Sequence, residues 1–99
     1  MTIDEIRADD KVQLNLHGRI DANASGELQN AILQTFQKNS KVILNFSDVP
    51  YIASAGLRAL LIGQKTASSK GGSFTIINVN EAVMEVFRVT SLNNVLTIQ

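Results

Sequence analysis

Ser54 is the residue in this chain whose position most invites chemistry. It lies in the stretch YIASAGLRALL, Tyr51 to Leu61, between a run that reads as a buried strand and a run that reads as a buried helix. A serine at such a junction can cap the helix, attack as a nucleophile, or accept a group from another protein. A nucleophile needs a base, and His17 is the sole histidine. It falls on the polar side of an alternating run, where a lone surface histidine is the simpler reading. The elbow motif G-x-S-x-G is also incomplete, because Ile52-Ala53-Ser54-Ala55-Gly56 lacks the first glycine. A serine hydrolase is therefore disfavoured, and no residue is assigned as catalytic.

Other reactive groups fare no better. Asp9–Asp10 reads as a solvated turn. The run SSKGGS (Ser68–Ser73) has a lysine and glycines, but it lacks the phosphate-loop spacing and follows a helix instead of opening one. Without cysteine there is no disulfide, thiolate or cysteine-ligated zinc. One histidine excludes a His-rich metal site. Neither a metal nor a cofactor is expected.

Composition bounds the rest. The 99 residues make one small domain spanning 1–99, with an ordinary 44% hydrophobic and 18% charged content. Lys plus Arg and Asp plus Glu balance at 9 each, so there is no basic footprint for direct nucleic-acid binding. MTIDEIRADD is acidic and poor in apolar residues, unlike a signal peptide. No apolar run approaches the roughly 18 residues that span a bilayer. A cytoplasmic protein without membrane contact is expected, and a monomer.

The elements that must position Ser54 follow from periodicity. Val12, Leu14 and Leu16 alternate with Gln13, Asn15 and His17, which predicts a half-buried strand over Lys11–Gly18. TIDEIRADD is a weaker edge strand ending in a turn at Asp9–Asp10. Leu28, Ile32 and Phe36 predict an amphipathic helix, with Asp21, Asn23 and Ser25 as candidate caps. Lys41–Phe46 is almost continuously apolar, as in a strand covered on both faces. SDVP then turns into a second helix with Leu57, Leu60, Leu61, Ile62 and Ala67 on its buried side. Gly63 within it lets the helix approach a neighbouring backbone, and Gly71–Gly72 end it. Ser73–Val79 is a strand, Asn80 caps a third helix carrying Val83, Val86 and Phe87, and NVLTIQ ends the chain as a short strand.

The order (β)β-α-β-α-β-α-β predicts an α/β domain with a mixed four- to five-stranded sheet, the first one or two strands antiparallel and the others parallel, with helices packed against it. In that frame Ser54 is an N-cap at a positive helix end. Ala53, Ala55 and Gly56 leave its hydroxyl uncrowded. A phosphoryl group there would meet backbone amides, and Arg58 stands one turn on.

Four stretches carry a resemblance that covers essentially the whole chain. GRID (Gly18–Asp21) looks like a G-E-L-D turn. VILNFSDVPYIASAGLRALL looks like a hydrophobic strand, an acidic turn, then D-S-[ST]-G-L and a helix. KGGSFTIINV looks like K-x-G-G before a strand, and VMEVFRVTSL looks like a final helix ending in V-x-x-x-x-x-G-L. The chain resembles the STAS domain family, specifically the small bacterial anti-sigma factor antagonists.

The resemblance implies a STAS-type single domain and a binding function, not an enzyme. It implies a partner that is both an anti-sigma factor and an ATP-dependent serine kinase. Unphosphorylated antagonist binds that partner and releases the sigma factor. Phosphorylation of Ser54 ends binding, and a serine phosphatase resets the cycle. Asp21 corresponds to the acidic neighbour of the serine. The docking surface would comprise Asp21, Asp48, Tyr51, Ala53, Ala55, Gly56 and Arg58, spanning the Asp21 turn, the Ser47–Ile52 loop and the start of the second helix. The pattern is broken at three places: Ala53 replaces the aspartate before the serine, Ala55 the following Ser/Thr, and Ser91 the late glycine. Losing the aspartate bears on kinase recognition. It keeps open an alternative, a constitutive STAS binding subunit of a transporter or stress-sensing assembly. The transmembrane region that precedes the STAS domain in sulfate transporters has no counterpart in these residues.

Overall fold

The computed structural model describes residues 1–9 and 11–99. Strand β1 (Thr2–Ala8) and β2 (Lys11–His17) lead into helix α1 (Ala22–Lys38). Strand β3 (Lys41–Asp48), helix α2 (Ser54–Lys70), strand β4 (Ser73–Ile77) and helix α3 (Glu81–Val89) follow. A 3-10 turn at Leu92–Asn94 leads to the last strand, β5 (Thr97–Ile98). Asp10, half of the predicted acidic turn, lies outside the described residues.

The five strands lie side by side in chain order. Only β1 is antiparallel to its neighbour; β2 to β5 run parallel. This order decides where the helices go. Each crossover moves one strand in the same direction, and a fixed right-handed crossover then puts every helix on the same face. Aromatic contacts agree. The Phe36 ring of α1 sits 6.1 Å from Phe74, and the Phe87 ring of α3 sits 6.4 Å from Phe46. Phe46 and Phe74 belong to the same face of the sheet as Val12, Leu14, Leu16, Val42, Leu44 and Ile76, all buried.

Two-sided burial of Lys41–Phe46 is therefore wrong. Val42, Leu44 and Phe46 are buried, while Ile43 and Asn45 are only half-buried on a face that no helix covers. Covering both faces needs a reversal of strand order, and this sheet has none. Polar side chains fill part of the open face: Asn45 donates to the Asn15 side chain at 2.9 Å, and Asn78 donates to Asn45 at 2.9 Å.

Helix positions follow the apolar stripes. Leu28, Ile32 and Phe36 are at most 1% exposed. The buried stripe of α2 is Gly56, Leu57, Ala59, Leu60, Gly63 and Ala67; Leu61 and Ile62 are only half-buried. Gly63 makes its close approach to a ring and not to backbone, since a Cβ there would stand 2.7 Å from Phe74 Cζ. Gly71 ends α2 alone in the left-handed conformation, φ 70°. Gly72 has a different task, because a Cβ on it would collide with the Ser40 carbonyl. Asn80 caps α3 as expected, accepting from the Val83 amide at 2.8 Å. Among the described residues, no helix is long and apolar enough to cross a membrane.

Candidate functional site

The two long helices begin beside each other because their leading segments are paired. Ile20 and Ile52 form a parallel bridge. The Ile20 amide donates to the Tyr51 carbonyl at 2.9 Å, and the Ala53 amide donates to the Ile20 carbonyl at 2.8 Å. Both isoleucines are buried, so hydrophobic packing holds the bridge as well. One residue beyond Ile20 is Asp21, and one residue beyond Ile52 is Ala53. These are the N-caps of α1 and α2.

The two caps differ. Asp21 Oδ1 accepts the Ala24 amide at 2.8 Å, and the Asp21 carbonyl accepts the Ser25 hydroxyl at 2.7 Å. Ala53 has no side-chain acceptor. Ser54 is therefore not the N-cap that the sequence suggested; it is the first helical residue. Capping needs extended backbone, and that conformation falls on Ala53, at φ −88° and ψ 167°. Only the Ala53 carbonyl serves the first turn, accepting from Gly56 at 2.9 Å and Leu57 at 3.2 Å. The amides of Ser54 and Ala55 meet no acceptor among the described residues, and neither does the Ser54 hydroxyl. Ser54 is exposed and Ala55 half-buried. The alanine that departs from the family pattern is thus the residue that leaves α2 uncapped.

Gly56 seats this helix end against the bridge. A Cβ there would approach Ile20 Cγ2 and Ile52 Cγ1 at 2.8 Å each. Arg58, four residues after Ser54, shares its face of the helix and is exposed. It forms no ion pair among the described residues.

The preceding loop presents the remaining predicted residues. The β2–β3 register shifts between Asn15 and His17, so Asp48 comes opposite His17. His17 Nδ1 lies 2.9 Å from Asp48, and Nε2 lies 2.9 Å from Asp4. His17 is thus no lone histidine but a clamp joining β1, β2 and the end of β3. The hydrogen bonds to Asp48 and then Asp4 raise its pKa above the ordinary histidine value. Neither ring nitrogen is left to serve Ser54 as a base. Tyr51 is 42% exposed, with the Arg19 guanidinium carbon 4.5 Å from its ring centroid.

The structure brings Asp21, Ala53, Ser54, Ala55, Gly56 and Arg58 to adjoining helix ends, with Tyr51 in the bridged segment. Asp48 stands a few residues upstream, at the end of β3. Arg19, His17 and Asp4 join this surroundings although sequence reasoning did not select them. Their partners are across the fold, and no local spacing announces them; the arginine inside GRID was the one available hint.

Such an arrangement can receive an anion. An exposed hydroxyl, two unused amides, a positive helix end and a free guanidinium would all favour negative charge on Ser54.

A family model described as "Mlab, STAS domain" matches residues 3–98. The chain belongs to the STAS domain family. It is 24% identical over 98 residues to the anti-sigma-B factor antagonist of Bacillus subtilis (strain 168), covering 99% of this chain and 90% of that protein. It is also similar to a crystal structure of a candidate anti-sigma factor antagonist from Thermotoga maritima, with 26% identity and a TM-score of 0.90 over 97% of this chain and 84% of that one. The unphosphorylated anti-sigma factor antagonist SpoIIAA shares the fold, with a TM-score of 0.79, 16% identity, and coverage of 99% and 87% of the two chains. SpoIIAA of Bacillus has also been solved in a phosphorylated form, at a TM-score of 0.77, 17% identity, and coverage of 99% and 91%. These STAS relatives are binding regulators and not enzymes, and the predicted α/β STAS fold with its mixed sheet is the one observed.

Proposed function

We propose that this STAS protein is an anti-sigma factor antagonist that works in the cytoplasm by partner switching. Its unphosphorylated form binds an anti-sigma factor that is also a serine kinase. Phosphorylation of Ser54 switches that binding off, a serine phosphatase restores it, and sigma-factor-dependent transcription follows the cycle. The observation that carries this reading is the exposed Ser54 hydroxyl at an uncapped helix start, beside Asp21 and one turn from Arg58.

Ser54 is a substrate here, not a catalyst. Its Oγ attacks the γ-phosphorus of ATP held by the kinase. The Oγ–P bond forms, the bond to the β-phosphate oxygen breaks, ADP leaves, and the hydroxyl proton passes to a base on the kinase. The product adds about −1.5 to −2 charges. The unused amides and Arg58 hold that charge without disturbing the core. A partner packed closely on Asp21, Tyr51, Ala53 and Ala55 must instead accommodate it; Gly56, expected in that docking surface, is buried against Ile20 and Ile52 and supports it from beneath. A loss of about 3–4 kcal/mol corresponds to a several-hundred-fold weaker complex.

Ala53 favours a second reading. Without the aspartate that resembles the family pattern, kinase recognition loses a carboxylate, and the chain would serve as a constitutive binding subunit of a transporter or stress-sensing assembly. Incubation with the candidate kinase and Mg-ATP, followed by intact-mass measurement, separates the two. A single phosphate that disappears in Ser54→Ala supports the switch; no phosphate supports the constitutive subunit.

A further inference from the structure

The sheet has two edges of different character. β5 is a two-residue strand, too short to template another chain. β1 is a seven-residue strand paired, among the described residues, only with β2, through a register without a bulge. It contains no proline, and six of its residues are exposed. The helical layer does not close over it. A groove of about 530 Å³ separates it from α1, with Ile3, Glu5 and Arg7 on one wall and Gln34 and Lys38 on the other. Long edges are usually blunted by bulges, proline, cover or charged side chains; β1 has only the last, in Asp4, Glu5 and Arg7, so a strand that pairs with it must match those charges.

We propose that β1 is a self-association edge, at which two copies of this chain pair β1 antiparallel to β1 about a two-fold axis through Ile6. Charge complementarity selects both the occupant and the register. Glu5 and Arg7 share one face of the strand and already form an ion pair at 2.6 Å within it. With Ile6 opposite Ile6 of the second copy, Glu5 faces the second copy's Arg7, and Arg7 faces its Glu5. Moving the axis to Glu5 sets like carboxylates opposite each other, and moving it to Arg7 sets like guanidiniums opposite. Ile6, 55% exposed in the single chain, gains an apolar partner on the open face. Paired residues in antiparallel strands point to the same side, so the helical layers stay together and the open faces become continuous. The contact is isologous and closes at two copies. It replaces the expected monomer with a weak, concentration-dependent dimer, because one strand pair buries less than a standard interface.

Sedimentation velocity from about 10 µM to about 1 mM chain tests the pairing in the concentration range of weak complexes. Wild type should move reversibly from monomer to dimer. Arg7→Glu places carboxylates opposite one another and should weaken association about tenfold or more. Glu5→Arg does the same with guanidiniums. The double variant Glu5→Arg/Arg7→Glu recreates both opposed pairs and should restore the dimer, and an equimolar mixture of the two single variants should associate more tightly than either does alone. A wild type that stays monomeric overturns the proposal, as does association indifferent to the single variants or unrescued by the double. Each variant is surface-exposed and outside the proposed docking residues. Kinase binding measured on the same samples therefore reports separately on the switch.

Discussion

The amide of Ala53 donates to the carbonyl of Ile20 at 2.8 Å, and this bond joins the starts of α1 and α2. It places a capped helix end, closed by Asp21, beside an uncapped one, opened by Ala53. That asymmetry leaves the first-turn amides of α2 open beside Ser54.

Restoring the missing cap should stabilise the fold. In Ala53→Asp the carboxylate can accept the first-turn amides of α2 and complement the helix dipole. A gain of about 1 kcal/mol is expected. Urea unfolding should show a raised midpoint at unchanged slope.

Gly56→Ala should act in the opposite direction. Its new methyl group meets two buried isoleucines, both in the bridge, and neither can move far. A loss of about 1–3 kcal/mol is expected. Thermal melting provides the measurement, and Gly26→Ala, with nothing near the new Cβ, is the control.

The His17 clamp gives stability a pH dependence of known sign. Asp48 and Asp4 raise its folded pKa above the ordinary histidine value of about 6.5. The folded chain therefore holds the proton more tightly than the unfolded chain. The contribution is complete below about pH 6.5, the unfolded value, and is lost as pH rises through the folded value. Urea midpoints should fall across that window in wild type and lose this component in His17→Asn. An NMR titration should place the His17 midpoint above the ordinary histidine value.

Tyr51 should be a binding hot spot. Its ring is exposed, held by Arg19, and next to the bridge. Tyr51→Ala should weaken the complex with the anti-sigma factor by about 2 kcal/mol, the level expected of a buried aromatic anchor. Arg19→Ala should cost less, about 0.5–1 kcal/mol for a cation–π contact at an exposed site. Calorimetric titration of both variants compares the two directly.

Much of this was legible in the residues. Leu28, Ile32 and Phe36 announced α1 through their spacing, and alternation from Val12 to Leu16 announced β2. Asn80 announced the start of α3. Burial of β3 was misjudged because Ile43 looks the same in a run whether or not a helix covers it; strand order decides that. The cap was misplaced by one residue because serine is the better cap in isolation, while the Ile20–Ile52 bridge fixes the extended residue at Ala53. The His17 clamp joins residues far apart in the chain, with Asp48 brought into line by a register shift. The open amides of α2 could be found only once Ala53 was known to precede the helix.

The most direct test of the central claim is the affinity of the candidate kinase for three forms of this chain: unmodified, stoichiometrically phosphorylated, and Ser54→Ala after the same kinase treatment. The account predicts tight binding by the unmodified form, a several-hundred-fold loss on phosphorylation, and no phosphate and no loss in Ser54→Ala. Equal affinity of the phosphorylated and unmodified forms, or a phosphate that persists in Ser54→Ala, would contradict it.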